Sequence, residues 1–226
     1  MKKLTSRKKI LLGVWGMVLF IMGDYLLGLG TIGTSSEPDA LYGMMWNVAP
    51  DWRYAGSSLL GFAGTTLFAV AAVELLKVME TKYGLSGSKL YQFFKTANWG
   101  GILYFAFIHI IMSVLPVVFN AGMEATGDMS TSAAMVIRVT KSIAVPLLAG
   151  FLICDGFVAI GWIGLVLQGK LPLPKIALIC NPVVIALLGQ SMNLIAEGLD
   201  SGFESFGWLL MYLVCALKLV GQEERV

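Results

Sequence analysis

The sequence predicts an all-α integral membrane protein, a bundle of six transmembrane helices with both termini in the cytosol. Three observations carry that expectation. Of the 226 residues, 57% are apolar and only 13% charged, against about 45–50% and ~25% in soluble domains. Six apolar stretches approach the ~20 helical residues that a hydrocarbon core of ~30 Å requires. Lysine and arginine gather in alternate connections, and their excess marks the cytosolic side. A mean hydropathy of +0.79 agrees. The apolar runs are continuous rather than alternating, which argues against a β-barrel.

Taken in order, the first span is 10–30, preceded by Lys2, Lys3, Arg7, Lys8 and Lys9. It is too long for a signal-peptide core and no small-x-small site follows it cleanly, so it reads as a retained span. The connection 31–54 is long for a simple turn. Ser36, Glu37, Pro38 and Asp39 read as a helix start, with a serine cap, an early proline and acids at the positive dipole end. A short interfacial helix over 40–49 would lay Met44, Met45 and Trp46 at headgroup level, with Trp52 beyond, as an anchor or a lid.

The second span, 55–79, carries Ser57, Gly61, Thr65 and Ala69 at steps of four. Small residues in that pattern permit close helix contact, within the chain or as the seam of a homo-oligomer. The third span is 97–119, with Pro116 inviting a kink near its outer end. A helix over 131–141, with Thr131 as a possible cap, leads into the fourth span at 142–167, where Pro146 invites another kink. The fifth and sixth spans are 176–196 and 203–220. Residues 1–226 then form a single membrane domain.

Lys77, Lys82, Lys89, Lys95, Lys170, Lys175, Lys218 and Arg225 share the basic side with the N-terminus. The other side has Arg53, Arg138 and Lys141 among the acids Glu37, Asp39, Asp51, Glu124, Asp128 and Asp200. The basic face suits a plasma membrane, most simply a bacterial inner membrane. Membrane lipids are the expected surroundings, and no nucleic-acid partner is expected. Cys154, Cys180 and Cys215 all fall in apolar stretches and read as packing residues with free thiols.

Ionisable groups within spans are costly and by default mark a site. Asp24 stands fifteen residues from Lys9, His109 fourteen from Lys95, Asp155 fifteen from Lys170, Gln190 fifteen from Lys175, and Glu204 fourteen from Lys218. At ~1.5 Å per residue these five reach a common depth of roughly 21–23 Å. Gln190, Asn193 and Glu197 share one face of the fifth span, as Asn98, His109, Ser113 and Asn120 share one of the third. Such stripes face protein or water rather than acyl chains. The plainer reading of the layer is polar packing between helices, which suits Asn98, Ser113 and Asn181. Glu74, beside Lys77, reads as a residue of the cytosolic boundary. Arg138 and Lys141 could hold an anionic headgroup at the outer leaflet, or simply reach to the interface. A faint echo links Phe20, Asp24 and Gly30 to Phe151, Asp155 and Gly161, as in an inverted repeat.

No motif names a catalyst. A single histidine excludes a multi-histidine zinc site, and neither HExxH spacing, a GxSxG elbow nor a P-loop occurs. No metal or cofactor is expected. The first expectation is an outward-facing intramembrane polar cavity that binds, or binds and transports, a small or lipid-like ligand. Asp24 and Asp155 would hold a proton or cation, since a carboxylate withdrawn from water needs one or the other. His109 would relay protons or bond the ligand, Gln190 and Asn193 would orient it, and Glu204 would complete the set. The second is a lipid- or isoprenoid-modifying enzyme, in which His109 works with Asp155 or Glu204 as acid and base. The third is a non-catalytic assembly subunit.

Overall fold

The computed structural model describes residues 4–28, 50–195 and 198–220. Among these the chain is all-helical, without a strand. The elements are α1 (Ser6–Gly28), α2 (Asp51–Thr81), α3 (Lys89–Thr126), α4 (Met129–Phe151), α5 (Phe157–Leu167), α6 (Pro182–Gly189) and α7 (Phe203–Val214). A π-helical turn, Leu152–Gly156, joins α4 to α5, so that Met129–Leu167 is one continuous helix. A 3-10 turn, Gln190–Leu194, extends α6, and a second π turn, Cys215–Leu219, extends α7. The interfacial helix expected over 40–49 lies outside the described residues, as do Asn193's side chain and Glu197.

Among the described residues, four helices are long and apolar enough to cross a membrane: Ser6–Gly28, Asp51–Thr81, Lys89–Thr126 and Met129–Leu167. The stretch expected as a fifth span is not one continuous helix. Ile176 lies in a 3-10 turn, Lys175–Leu178, and the helix proper begins at Pro182. The cause is local. The Asn181 side chain accepts from the Val183 and Val184 backbone N–H groups at 3.0 and 3.4 Å, and Pro182 occupies a first-turn position where its missing N–H costs nothing. The fourth span is likewise capped earlier than expected. Asp128, not Thr131, receives the first-turn N–H groups, from Ser130 at 3.2 Å and Thr131 at 2.9 Å. The preceding Gly127 closes α3 at φ +64°, the left-handed conformation that glycine adopts at low cost.

Where α1 crosses α2 the two helices approach closely. A Cβ on Gly16 would lie 2.7 Å from the Gly64 carbonyl, so the two backbones touch. Below that crossing, Phe68 meets Phe105, Trp208 and Tyr212 at ring separations of 5.1, 5.6 and 5.3 Å, which ties α2, α3 and α7 together. The Tyr212 hydroxyl donates to Asn98 Oδ1. These are van der Waals and interhelical polar contacts, the forces that hold helices together where lipid removes any apolar preference between them.

One end of the bundle collects the cations. Lys9 pairs with Glu74 and Lys95 with Glu80, both at 2.8 Å. Lys82 donates to the Leu219 carbonyl at 3.1 Å and Lys170 to the Ser88 hydroxyl at 3.0 Å. Glu74, expected at a boundary, lies at this end, where Ser6 also bonds it at 2.6 Å. The opposite end holds the end of α1, the end of α6 and the beginning of α7.

Candidate functional site

Near that second end, a cavity of about 350 Å³ opens between α1, α3, α6 and α7. Asp24, His109, Gln190 and Glu204, four of the five residues of the expected layer, line it. Hydropathy placed these groups at one depth, and helix packing turns them to one space.

His109 is the deepest of them, with 4% of its surface exposed. Two glycines make room for its ring. A Cβ on Gly61 would fall 2.5 Å from His109 Cβ, and one on Gly23 would fall 3.2 Å from Cε1. Of the stripe Ser57, Gly61, Thr65 and Ala69, expected to serve close contact within the chain or between copies, the first three are buried and Ala69 is half-buried, with His109 seated against Gly61. The ring lies against Phe20, 4.8 Å between centroids. Nδ1 stands 3.4 Å from Ser57 Oγ and Nε2 stands 3.5 Å from Asp24 Oδ1. One tautomer suits both neighbours: Nε2–H donates towards Asp24, and Nδ1 accepts from the serine hydroxyl.

The other oxygen of Asp24 is engaged more firmly, accepting from Ser205 Oγ at 2.7 Å. Thus α1 supplies the acid, α3 the imidazole and α7 the hydroxyl. Asp155 stands behind this group. It sits on the π turn, outside the cavity lining, with Glu204 and the Trp208 indole as its neighbours. Its Oδ1 is buried without a hydrogen-bond partner, as is Trp208 Nε1. The carboxylate within reach of His109 is therefore that of Asp24, while Asp155 and Glu204 face one another. The acid–base pairing expected of His109 with Asp155 or Glu204 is not the one formed.

The ladder change that carries Asp155 is braced by α3. Tyr104 Oη donates to the Leu147 carbonyl at 2.8 Å, just before the π turn. Gly150 admits the tyrosine ring, since a Cβ there would sit 2.0 Å from Cε2. At the mouth, Asp200 and Ser201 join the lining from the turn that precedes α7. Tyr25 Oη holds this turn through the Leu199 carbonyl at 3.1 Å.

The expected headgroup pair lies elsewhere. Arg138 and Lys141 are exposed on α4, beside a shallow surface groove with Ser142, and share nothing with the cavity. Asn193 falls on the 3-10 turn after α6. Ser205 and the aromatic walls carry no distinguishing signal in the sequence, and Ser57, expected on the small-residue stripe, stands beside His109 Nδ1. Among the described residues, no three His, Cys, Asp or Glu side chains converge as metal ligands.

A sequence model of a protein family described as a family of unknown function, DUF6796, matches residues 1–222. No curated protein and no solved structure matches the chain.

Proposed function

We propose that this chain, which belongs to the family of unknown function DUF6796, is a six-span plasma-membrane protein whose intramembrane cavity binds a small ligand. Both termini lie in the cytosol and the cavity opens outward. The basic end of the bundle, with Lys9, Lys82, Lys95 and Lys170, supports that orientation through the cytosolic excess of cations. The observation that carries the reading is Asp24. Its carboxylate stands on the cavity wall between Ser205 at 2.7 Å and His109 at 3.5 Å, on three different helices. An acid kept in such surroundings is costly in a membrane unless it is used.

In this arrangement Asp24 is the primary ligand group and His109 orients it. Glu204 and Gln190 supply further polar contacts, and Asp155 backs Glu204. Carriage across the bilayer is an extension of the same site, since a mobile ligand must reach and leave a buried acid. Native mass spectrometry of gently solubilised protein tests binding. A stoichiometric small-molecule adduct, lost in Asp24→Asn and His109→Ala that still fold, is the expected result. A clean unliganded mass in the wild type under all lipid conditions would sink the proposal.

A further inference from the structure

We propose that the cavity selects an organic cation, an amine or quaternary ammonium group on an apolar body; this rests on the binding-cavity reading above. The sign of charge comes first. Asp24, Asp200 and Glu204 line the space, and no lysine or arginine does among the described residues. An anionic ligand would meet the three carboxyl groups there, with no fixed positive charge among the described lining residues to offset them. A neutral one would leave several carboxylates in apolar surroundings without a counter-charge.

The walls supply the second requirement. Phe20, Tyr104, Phe105, Phe151 and Trp208 also line the cavity, and aromatic faces attract a desolvated cation through their quadrupole. The acids are spread around the space rather than converging on a point, since no three potential ligands gather among the described residues. That spread fits a cation several atoms wide better than a bare metal ion, which needs converging donors at bonding distance. The volume of about 350 Å³ lies near the small end of ligand pockets, which run about 300–1,000 Å³.

Three probes of one shape and different charge test the inference: 2-phenylethylamine, 2-phenylethanol and phenylacetate. Each is titrated into the full-length protein in lipid nanodiscs, with thermal unfolding and native mass spectrometry as readouts. The amine is expected to bind at least about tenfold more tightly than the alcohol, with phenylacetate weakest. Asp24→Asn and Glu204→Gln should each weaken the amine about tenfold while leaving the alcohol unchanged. Glu80→Gln, at the opposite end of the bundle, should change neither. Unliganded melting temperatures show which variants fold, and the two carboxamides are independent tests. Alcohol binding as tight as the amine's, still lost in His109→Ala, would overturn the charge selection and leave the cavity reading standing. Failure of all three probes, together with no adduct in the native spectrum, would remove both.

Discussion

Asp24 is held unequally, by a 2.7 Å bond from Ser205 and a looser 3.5 Å approach of His109. Ser205→Ala should therefore lower stability by about 0.5–1.5 kcal/mol, the usual range for one interhelical hydrogen bond in a membrane. It should also weaken ligand adducts, because the carboxylate loses its anchor; unchanged adduct occupancy would detach Ser205 from the site. Gly61 makes the sharper steric claim. Alanine is the better helix former by about 1 kcal/mol, yet its Cβ would meet His109 at 2.5 Å. Gly61→Ala should thus destabilise by about 1–3 kcal/mol through overpacking. Gly156→Ala, where nothing lies within 4 Å, should not. Equal melting temperatures for the two would refute the tight seat of His109. The sequence exposes Asp24, His109 and Glu204, since ionisable groups in apolar runs stand out. It hides Ser205, and the place of Ser57 beside His109. Hydroxyls in apolar helices commonly bond their own backbone, as Thr65 does to Gly61 and Ser113 to His109 at 2.8 and 2.7 Å, and spacing does not tell which one reaches across.

At the scale of elements, helix ends decide the outcome, and hydropathy is blind to them. A window average over 176–196 registers only apolarity, whereas Asn181 and Pro182 start the helix by capping chemistry. Asn181→Ala should cost about 1 kcal/mol, measured as thermal stability of the intact protein. A neutral result would mean that packing alone holds the start of α6. Likewise, Thr131 resembles a cap in sequence, but Asp128 lies nearer the turn set by Gly127 and takes the role. The two aspartates of the echo differ in backbone setting, Asp24 in a regular α-helix and Asp155 on a π turn. Asp128 carries a pH prediction. The Thr131 hydroxyl, followed by the Thr131 and Ser130 amides, holds its carboxyl below the usual range. A group depressed on folding contributes stability above its unfolded value and loses it as pH falls through the folded one. The first turn of α4 should therefore fray below about pH 4. Amide exchange at Ser130 and Thr131, corrected for intrinsic rates, should show protection falling there in the wild type. Asp128→Ala should show low protection at every pH; an equally steep fall in that variant would exclude the cap as its cause.

At the scale of the whole molecule, the two last helical segments are the question. Pro182–Met192 is a short apolar helix, and residues 203–219 add fewer than five further turns. At ~1.5 Å per residue the first reaches only about half of a ~30 Å core. By contrast α3, with 38 residues, exceeds it. Gln190, just past α6 at the end of the bundle away from the cations, meets the cavity while remaining exposed. Six crossings then require the chain to reach the outer surface between Leu194 and Phe203, with the bilayer thinned or wetted around that mouth. Single cysteines introduced at Lys170 and at Asp200, in a background without Cys154, Cys180 and Cys215, decide the matter. A membrane-impermeant thiol reagent applied from outside intact cells should label position 200 and spare position 170, which should react only after permeabilisation. Position 200 staying unlabelled from outside and reacting only from the side of position 170 would make α6 and α7 a re-entrant hairpin. The bundle would then cross four times, the end of α7 would stay at the basic end where Lys82 holds the Leu219 carbonyl, and the cavity would be entered past a hairpin rather than between two crossing helices.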